Sequence, residues 1–358
     1  MKELKKLICN AESILISTHI MPDADGIGAQ VALYLALKKI GKTVYAVNED
    51  KLHERWIKIY GNITPISFSD FQKNKRECFK KYLKKHSKKH TNKCSTKRSI
   101  YNHDRIDLFI LVDANSTERI GPNMQKLLTS SNNFICIDHH PSSSSLIEAI
   151  HYIDTNAAAT AEIIAKLIKS FHIKYTIEMA LALYSAIVID TSSFRYPNVT
   201  AYTHKLISEL LKTGLNPAKV YDQFYGTKSL KHFRLLGKIL ENVKITNDQK
   251  IAYLTIPQKL LGKYNVDEED TYSYVNYLLV LDKIKIVCLF RELEKPKGYI
   301  KISLRSNFQI KKFDAGEMAK ALGGGGHNHS AAAIIKGPLN KVISQTIIKI
   351  KEMLKLTT

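Results

Sequence analysis

The chain has 358 residues, of which 44% are hydrophobic and 24% charged, and a formal net charge of +21. These proportions are ordinary for a globular protein, and the length suits two domains better than one core. No apolar run approaches the roughly 20 residues of a bilayer span, the start Met1-Lys2-Glu3-Leu4-Lys5-Lys6 lacks a signal-peptide apolar region, and the five cysteines form no CxxC pair, so a soluble protein of the reducing cytoplasm without membrane contact is expected.

Residues 13–47 read strand, loop, helix, strand. Ile14-Leu15-Ile16 is apolar, Gly26 to Ile40 carries Ile27, Val31, Leu33, Leu35 and Leu37 at helical spacing, Gly41 fits a helix stop, and Thr43 to Val47 returns as a strand. A βαβ unit of this kind favours a parallel sheet. Residues 72–105 then hold thirteen Lys/Arg against two acids, a local excess of +11 with Lys84-Lys85-His86-Ser87-Lys88-Lys89-His90 at its centre. Without an apolar period, this stretch reads as a solvated insertion that could contact a polyanion.

Leu108 to Val112 and Phe134 to Ile137 follow as strands, Thr160 to Phe171 and Ile177 to Ala186 as helices, and Ile187-Val188-Ile189 as a further strand end. Thr200 to Lys212 reads as a helix, and Asn216-Pro217 supplies an N-cap and first helical residue for another. Beyond it the alternation changes, with strands near 250–256, 284–291 and 299–304 and helices near 268–280, 314–322 and 338–355. The fold class is therefore α/β: an N-terminal, mostly parallel sheet with helices on both faces over residues 1–213, a helical linker near 205–230, and a smaller α+β domain over 231–358.

Acidic and histidine residues recur where the apolar runs end: His19, Asp23 and Asp25, then Asp113, then Asp138-His139-His140, then Asp190. The carboxyl ends of parallel strands open onto one crevice, so the four segments are expected to converge there. Oxygen and nitrogen donors without thiolate suit divalent ions such as manganese or magnesium, and two ions can share a carboxylate, which points to phosphoester hydrolysis. Adjacent histidines on an extended segment face opposite sides, so one is expected to bind metal and the other to act elsewhere. In the second domain, Arg305 and Ser306 end a strand, and Gly323, Gly324, Gly325, Gly326 and His327 follow a helix. Such a glycine run suits close approach of backbone N–H groups to a phosphate.

These motifs, HxxPDxD at 19–25, VDA at 112–114, DHH at 138–140 and DTxxF at 190–194, with LRS at 304–306 and GGGGH at 323–327, resemble those of the DHH phosphoesterase superfamily and its associated C-terminal nucleotide-binding domain. The resemblance points to the branch of stand-alone oligoribonuclease/pAp-phosphatases and cyclic-di-AMP or pApA phosphodiesterases. It implies two divalent ions, manganese foremost with magnesium or cobalt as alternatives. One would be held by His19, Asp23, Asp113 and Asp190, the other by Asp25, His139 and Asp113 with Asp190 shared. It further implies that His140 faces the scissile phosphate, that Asp138 orients His139, and that Arg305, Ser306, Gly323 to Gly326 and His327 grip the substrate. The implied substrates are short RNA or dinucleotides, with pAp as an alternative, and the implied assembly is a homodimer. The chain departs from the family pattern at Ser143, at Ser192 and at Asn328-His329-Ser330. A nucleotide or RNA binder without catalysis is the other class to be weighed, favoured by the basic insertion.

Overall fold

The computed structural model describes residues 1–74, 106–141, 150–226, 229–307 and 313–356. The basic insertion beyond residue 74 and Ser143 lie outside the described residues. The chain divides into two compact units, Met1–Gln223 and Phe224–Thr358, each built on a six-stranded sheet. Among the described residues no helix is long and apolar enough to cross a membrane.

The first unit's strands are β1 (Ser13–Ser17), β2 (Thr43–Asn48), β3 (Ile66–Ser67), β4 (Leu108–Val112), β5 (Asn133–Asp138) and β6 (Ile150–Ile153), arranged in the order β3-β2-β1-β4-β5-β6 with every pairing parallel. The order reverses between β1 and β4, so the connections leaving these strands turn to opposite sides and a crevice opens at their carboxyl ends. On one face Leu15, Phe109 and Leu111 pack with Met124 and Leu128 of helix α4 (Pro122–Thr129). Their strand neighbours Ile14, Ile16 and Ile110 point to the opposite face, as the strand period requires, where α2 (Ala24–Lys39) packs. The expected parallel sheet with helices on both faces is thus present. Helices α1 (Lys2–Asn10) and α3 (Glu54–Tyr60) and the short strands β3 and β6 were not expected from the sequence.

Helices α5 (Thr160–Ser170) and α6 (Ile177–Asp190) complete the layer that frames the site. Ile187-Val188-Ile189, read above as a strand end, is instead the last turn of α6. A short apolar run does not distinguish a strand from a helical turn, and Ile187 continues the buried face that α6 presents from Met179 onward. Helix α7 (Ala201–Leu211) follows with a capping box at Thr200 and Thr203, and α8 (Pro217–Tyr221) is capped by Asn216 as expected.

The second unit's sheet runs β11-β12-β10-β9-β8-β7, from β7 (Lys244–Ile245), β8 (Ile251–Ile256), β9 (Ile286–Glu292), β10 (Tyr299–Ser306), β11 (Gly325–His327) and β12 (Ser330–Lys336). Among the described residues only β8 and β9 pair in parallel. Helices α9 (Leu230–Glu241) and α10 (Gln258–Tyr264) pack through Leu235, Ile239 and Leu261 in one core cluster, while α11 (Ala315–Lys320) and α12 (Leu339–Leu356) bring Met318, Val342 and Ile350 to another. The helix expected near 268–280 is two 3₁₀ segments, Glu268–Thr271 and Tyr274–Val280. The β11–β12 hairpin includes part of the glycine run.

Candidate metal centre

The loop leaving β1 and the first turn of α2 carry the first three site residues. Asp23 is the N-cap of α2, its Oδ1 accepting from Asp25 N at 3.0 Å and Gly26 N at 3.2 Å. Asp25 sits in the first turn, and both its oxygens accept from the start of α5: Thr160 N at 2.6 Å and Ala161 N at 2.9 Å. Below the loop, Gln30 and Asn48 exchange side-chain hydrogen bonds, and Asn48 Oδ1 accepts from Thr18 N at 3.3 Å, which fixes where the chain turns toward His19.

Asp113 follows β4 with φ of 57°, a left-handed conformation that Asp adopts more readily than most residues. Its N–H still donates to Ile137 O on β5 at 3.0 Å, so the strand pairing holds while the side chain turns inward. Gly26 lets α2 approach it, since a Cβ there would stand 2.4 Å from Thr18 Oγ1 and 3.2 Å from Asp113 Oδ2. Asp190 arrives from another direction, as the last residue of α6.

The side chains from these elements converge. His19, Asp23 and Asp113 offer donor atoms within 4.8 Å of one another; so do Asp25, His139 and Asp190, and also Asp113, His139 and His140. Asp113 belongs to both sides, with Oδ2 3.5 Å from His19 Nε2 and Oδ1 3.8 Å from His139 Nε2. Asp190 Oδ2 lies 3.4 Å from His139 Nε2. The geometry thus places Asp190 with Asp25 and His139.

The two histidines present matching faces. His19 Nδ1 lies 2.8 Å from Ile20 O, and His139 Nδ1 lies 3.2 Å from Ala157 O. With each Nδ1–H donated to a carbonyl, the Nε2 lone pairs point at the carboxylates, the arrangement by which backbone acceptors fix ligating imidazoles. Burial, with the Arg119 cation, lowers His19 to about 4, so this ring is neutral at physiological pH. Burial would also lower His139, but Asp190, Asp25 and Asp138 outweigh it and raise it.

Asp113 is buried, and burial together with the neighbouring Asp25 and Asp23 raises its carboxyl well above the ordinary range; burial does the same to Asp190 and raises Asp25. Packed carboxylates of this kind need protons or cations to coexist. All-oxygen-and-nitrogen donor groups that share one carboxylate fit a pair of divalent ions.

His139 and His140 do not face opposite sides. Their ring centroids are 4.8 Å apart, and both rings approach Asp113 Oδ1, His140 through Nδ1 at 3.6 Å. Strand β5 ends at Asp138, so the strand alternation no longer governs the residues after it. Asp138 Oδ1 accepts from His140 Nδ1 at 2.8 Å and from the backbone N–H groups of His139 and His140 at 2.7 and 3.2 Å, so it holds the His140 ring directly and His139 through its backbone. Burial would raise the Asp138 carboxyl, but His140 outweighs it and holds it below the usual range.

Two contributors carried no local signal. Thr160 Oγ1 donates to Asp113 Oδ1 at 3.1 Å across 47 residues, and the sequence marked Thr160 only as a helix start. Arg119, in the turn after Asp113, brings a cation beside His19, and its carbonyl accepts from Ile20 N at 2.6 Å.

In the second unit, Ser306 is buried, and its Oγ lies 2.8 Å from His329 Nδ1 and donates to Asn328 O at 3.3 Å, so the hydroxyl expected to grip substrate braces the β11–β12 turn. Arg305 is half-buried, and its Nη1 donates to Leu304 O at 2.8 Å. Three of the four glycines have reasons of their own. Gly323 has φ of 77° after α11, and Cβ atoms on Gly324 and Gly326 would stand 2.1 Å from Ala332 O and 2.5 Å from Ala331 Cα. A Cβ on Gly325 would stand in open space, with nothing within 4 Å and no positive φ to exclude it, and the side chain of His327 lies outside the described part of the structure.

Residues 13–187 match the DHH family, N-terminal domain, and residues 248–355 match the DHHA1 domain. The bifunctional oligoribonuclease and PAP phosphatase NrnA of Thermus thermophilus is 26% identical over 342 residues, covering 95% of this chain and 90% of that protein. Its namesake in Bacillus subtilis is 25% identical over 349 residues, covering 93% and 92%. A crystal structure of an exopolyphosphatase-related protein from Bacteroides fragilis superposes with a TM-score of 0.80 at 23% identity, covering 99% of this chain and 96% of that one. With both domains matched in order over most of its length, this chain belongs to the DHH family.

Proposed function

We propose that the chain is a metal-dependent phosphoesterase that hydrolyses short oligoribonucleotides or dinucleotides to mononucleotides. The observation that carries this reading is the carboxylate of Asp113, which has Oδ2 beside His19 and Oδ1 beside His139, between two donor groups. His19, Asp23 and Asp113 are assigned to one divalent ion, and Asp25, His139 and Asp190 to the second, with Asp113 shared. Manganese is the proposed ion, with magnesium and cobalt compatible with the same donors. When bound, such a pair lowers the pKa of a water toward neutrality and draws charge from a phosphoryl oxygen.

The protein's own groups do the remaining work. Ile20 O and Ala157 O hold the two imidazoles so that Nε2 faces the carboxylates. Asp138 anchors His140 through Nδ1, and His140 is assigned to stabilise the charge that develops on the phosphoryl group. Arg119, beside His19, adds a cation that favours an anionic substrate. In the second unit, Arg305 and the backbone at Gly325 are assigned to a nucleotide phosphate.

A second reading, a 3′-phosphatase acting on pAp, is favoured by the relatives in Thermus and Bacillus, which are named for both activities. Purified chain with manganese is to be offered di- to pentanucleotides, pApA, cyclic di-AMP and pAp. Release of mononucleotides from the short oligomers supports the first reading, and release of phosphate from pAp alone supports the second. No hydrolysis with manganese, magnesium or cobalt, together with equal binding of pApA in chelator, would make the protein a nucleotide binder.

A further inference from the structure

The segment from Ala157 to Ala161 touches three of the proposed ligands at once. Ala157 O takes His139 Nδ1, the N–H groups of Thr160 and Ala161 bond Asp25, and Thr160 Oγ1 bonds Asp113. Its first three residues are buried alanines, which have no side-chain means of fixing their own backbone. Two outside groups hold the middle one. Glu162 Oε2 accepts from Ala158 N at 3.1 Å, and Asn198 Nδ2 donates to Ala158 O at 3.4 Å.

Glu162 is only 2% exposed, and its Oε1 has no hydrogen-bond partner among the described residues. A carboxylate buried on a single backbone N–H is costly, and an alanine there would avoid the cost without interrupting α5. The fixed loop is what the acid provides in return.

We propose that Glu162 is a positioning residue: by clamping Ala158 it aims the Ala157 carbonyl and so sets the tautomer and orientation of His139. The role of His139 as a ligand rests on the phosphoesterase reading, whereas its tautomer in the metal-free chain does not.

The test is ¹⁵N-histidine NMR of the metal-free chain, at a pH where the ring is neutral, combined with calorimetric titration of manganese. Wild type is expected to show His139 protonated on Nδ1. Glu162→Ala is expected to show a mixture of tautomers and to bind manganese roughly 10- to 100-fold more weakly. Glu162→Gln, which keeps an oxygen for Ala158 N, is expected to restore most of both signals. An unchanged tautomer and manganese affinity in a folded Glu162→Ala, with only the unfolding temperature lowered, would overturn the proposal. Should that variant not fold, Asn198→Ala releases the same loop from its carbonyl side. A tautomer mixture there supports the proposal, and a wild-type spectrum with wild-type affinity overturns it. Failure of the turnover assay with an intact tautomer response would count against the phosphoesterase reading alone.

Discussion

Gly28 of α2 lies directly against the backbone of Ala182 on α6: a Cβ at position 28 would stand 2.4 Å from the Ala182 carbonyl oxygen and 2.9 Å from Ala186 Cβ. Two backbones meet here with no side chain between them. Asp25 starts the first of these helices and Asp190 ends the second, so the close crossing brings the two carboxylates to one place.

Gly28→Val is therefore expected to push α6 away from α2. Overpacking of this kind costs about 1–3 kcal/mol, readable as a lower urea midpoint. Manganese affinity, measured by calorimetry on protein that remains folded, should fall with it. A variant as stable as wild type with undiminished affinity would show that the crossing does not set the carboxylate spacing.

Asp113→Asn keeps the size of the side chain and a residue type that tolerates positive φ, but removes the charge shared by both donor groups. Loss of several kcal/mol of transition-state stabilisation corresponds to on the order of 10³-fold in rate. Metal-dependent turnover should fall by that order while the far-ultraviolet circular dichroism spectrum stays unchanged. Appreciable turnover would remove Asp113 from the centre of the site.

Thr160→Val deletes the hydroxyl that donates to Asp113 while nearly conserving volume. Manganese affinity is expected to drop roughly 10- to 100-fold, and Thr160→Ser is expected to recover it. If the serine variant is as impaired as the valine variant, the methyl packing matters and the hydrogen bond does not.

Stability should depend on pH in opposite ways with and without metal. Burial and neighbouring charge raise Asp113 and Asp190 well above the ordinary 3.8, and burial raises Asp25. The folded metal-free chain then binds more protons than the unfolded one, so the stability these groups contribute at low pH is lost as pH climbs through their raised values. His19, lowered to about 4 from 6.5, acts with the other sign and subtracts stability as pH falls through that interval. A bound cation takes the place of the carboxylate protons. The difference in unfolding temperature between manganese-loaded and chelator-treated protein is expected to widen from acid to alkaline pH. A constant difference would mean that the carboxylates do not hold the ion.

The strand ends were legible because Leu108 to Val112 and Phe134 to Ile137 are apolar without interruption and stop at an acid, a pattern a buried strand produces by itself. Ile187-Val188-Ile189 has the same composition but belongs to a helix, since burial alone does not set the backbone period. Thr160 and Gly28 act through partners across the fold, which spacing along the chain does not record, and Glu162 acts on the backbone of Ala158 four residues before it, which carries no side-chain pattern. The glycine run was visible as an anomaly, but its cause at Gly324 and Gly326 is the nearness of β12, which only the folded hairpin reveals.

Asp190 closes α6, so the carbonyl end of that helix, with its partial negative charge, is turned toward the carboxylate cluster. That helix end, taken alone, presents a phosphate with a charge of its own sign. On the phosphoesterase reading proposed above, cations held by these carboxylates would offset that charge for an anionic substrate.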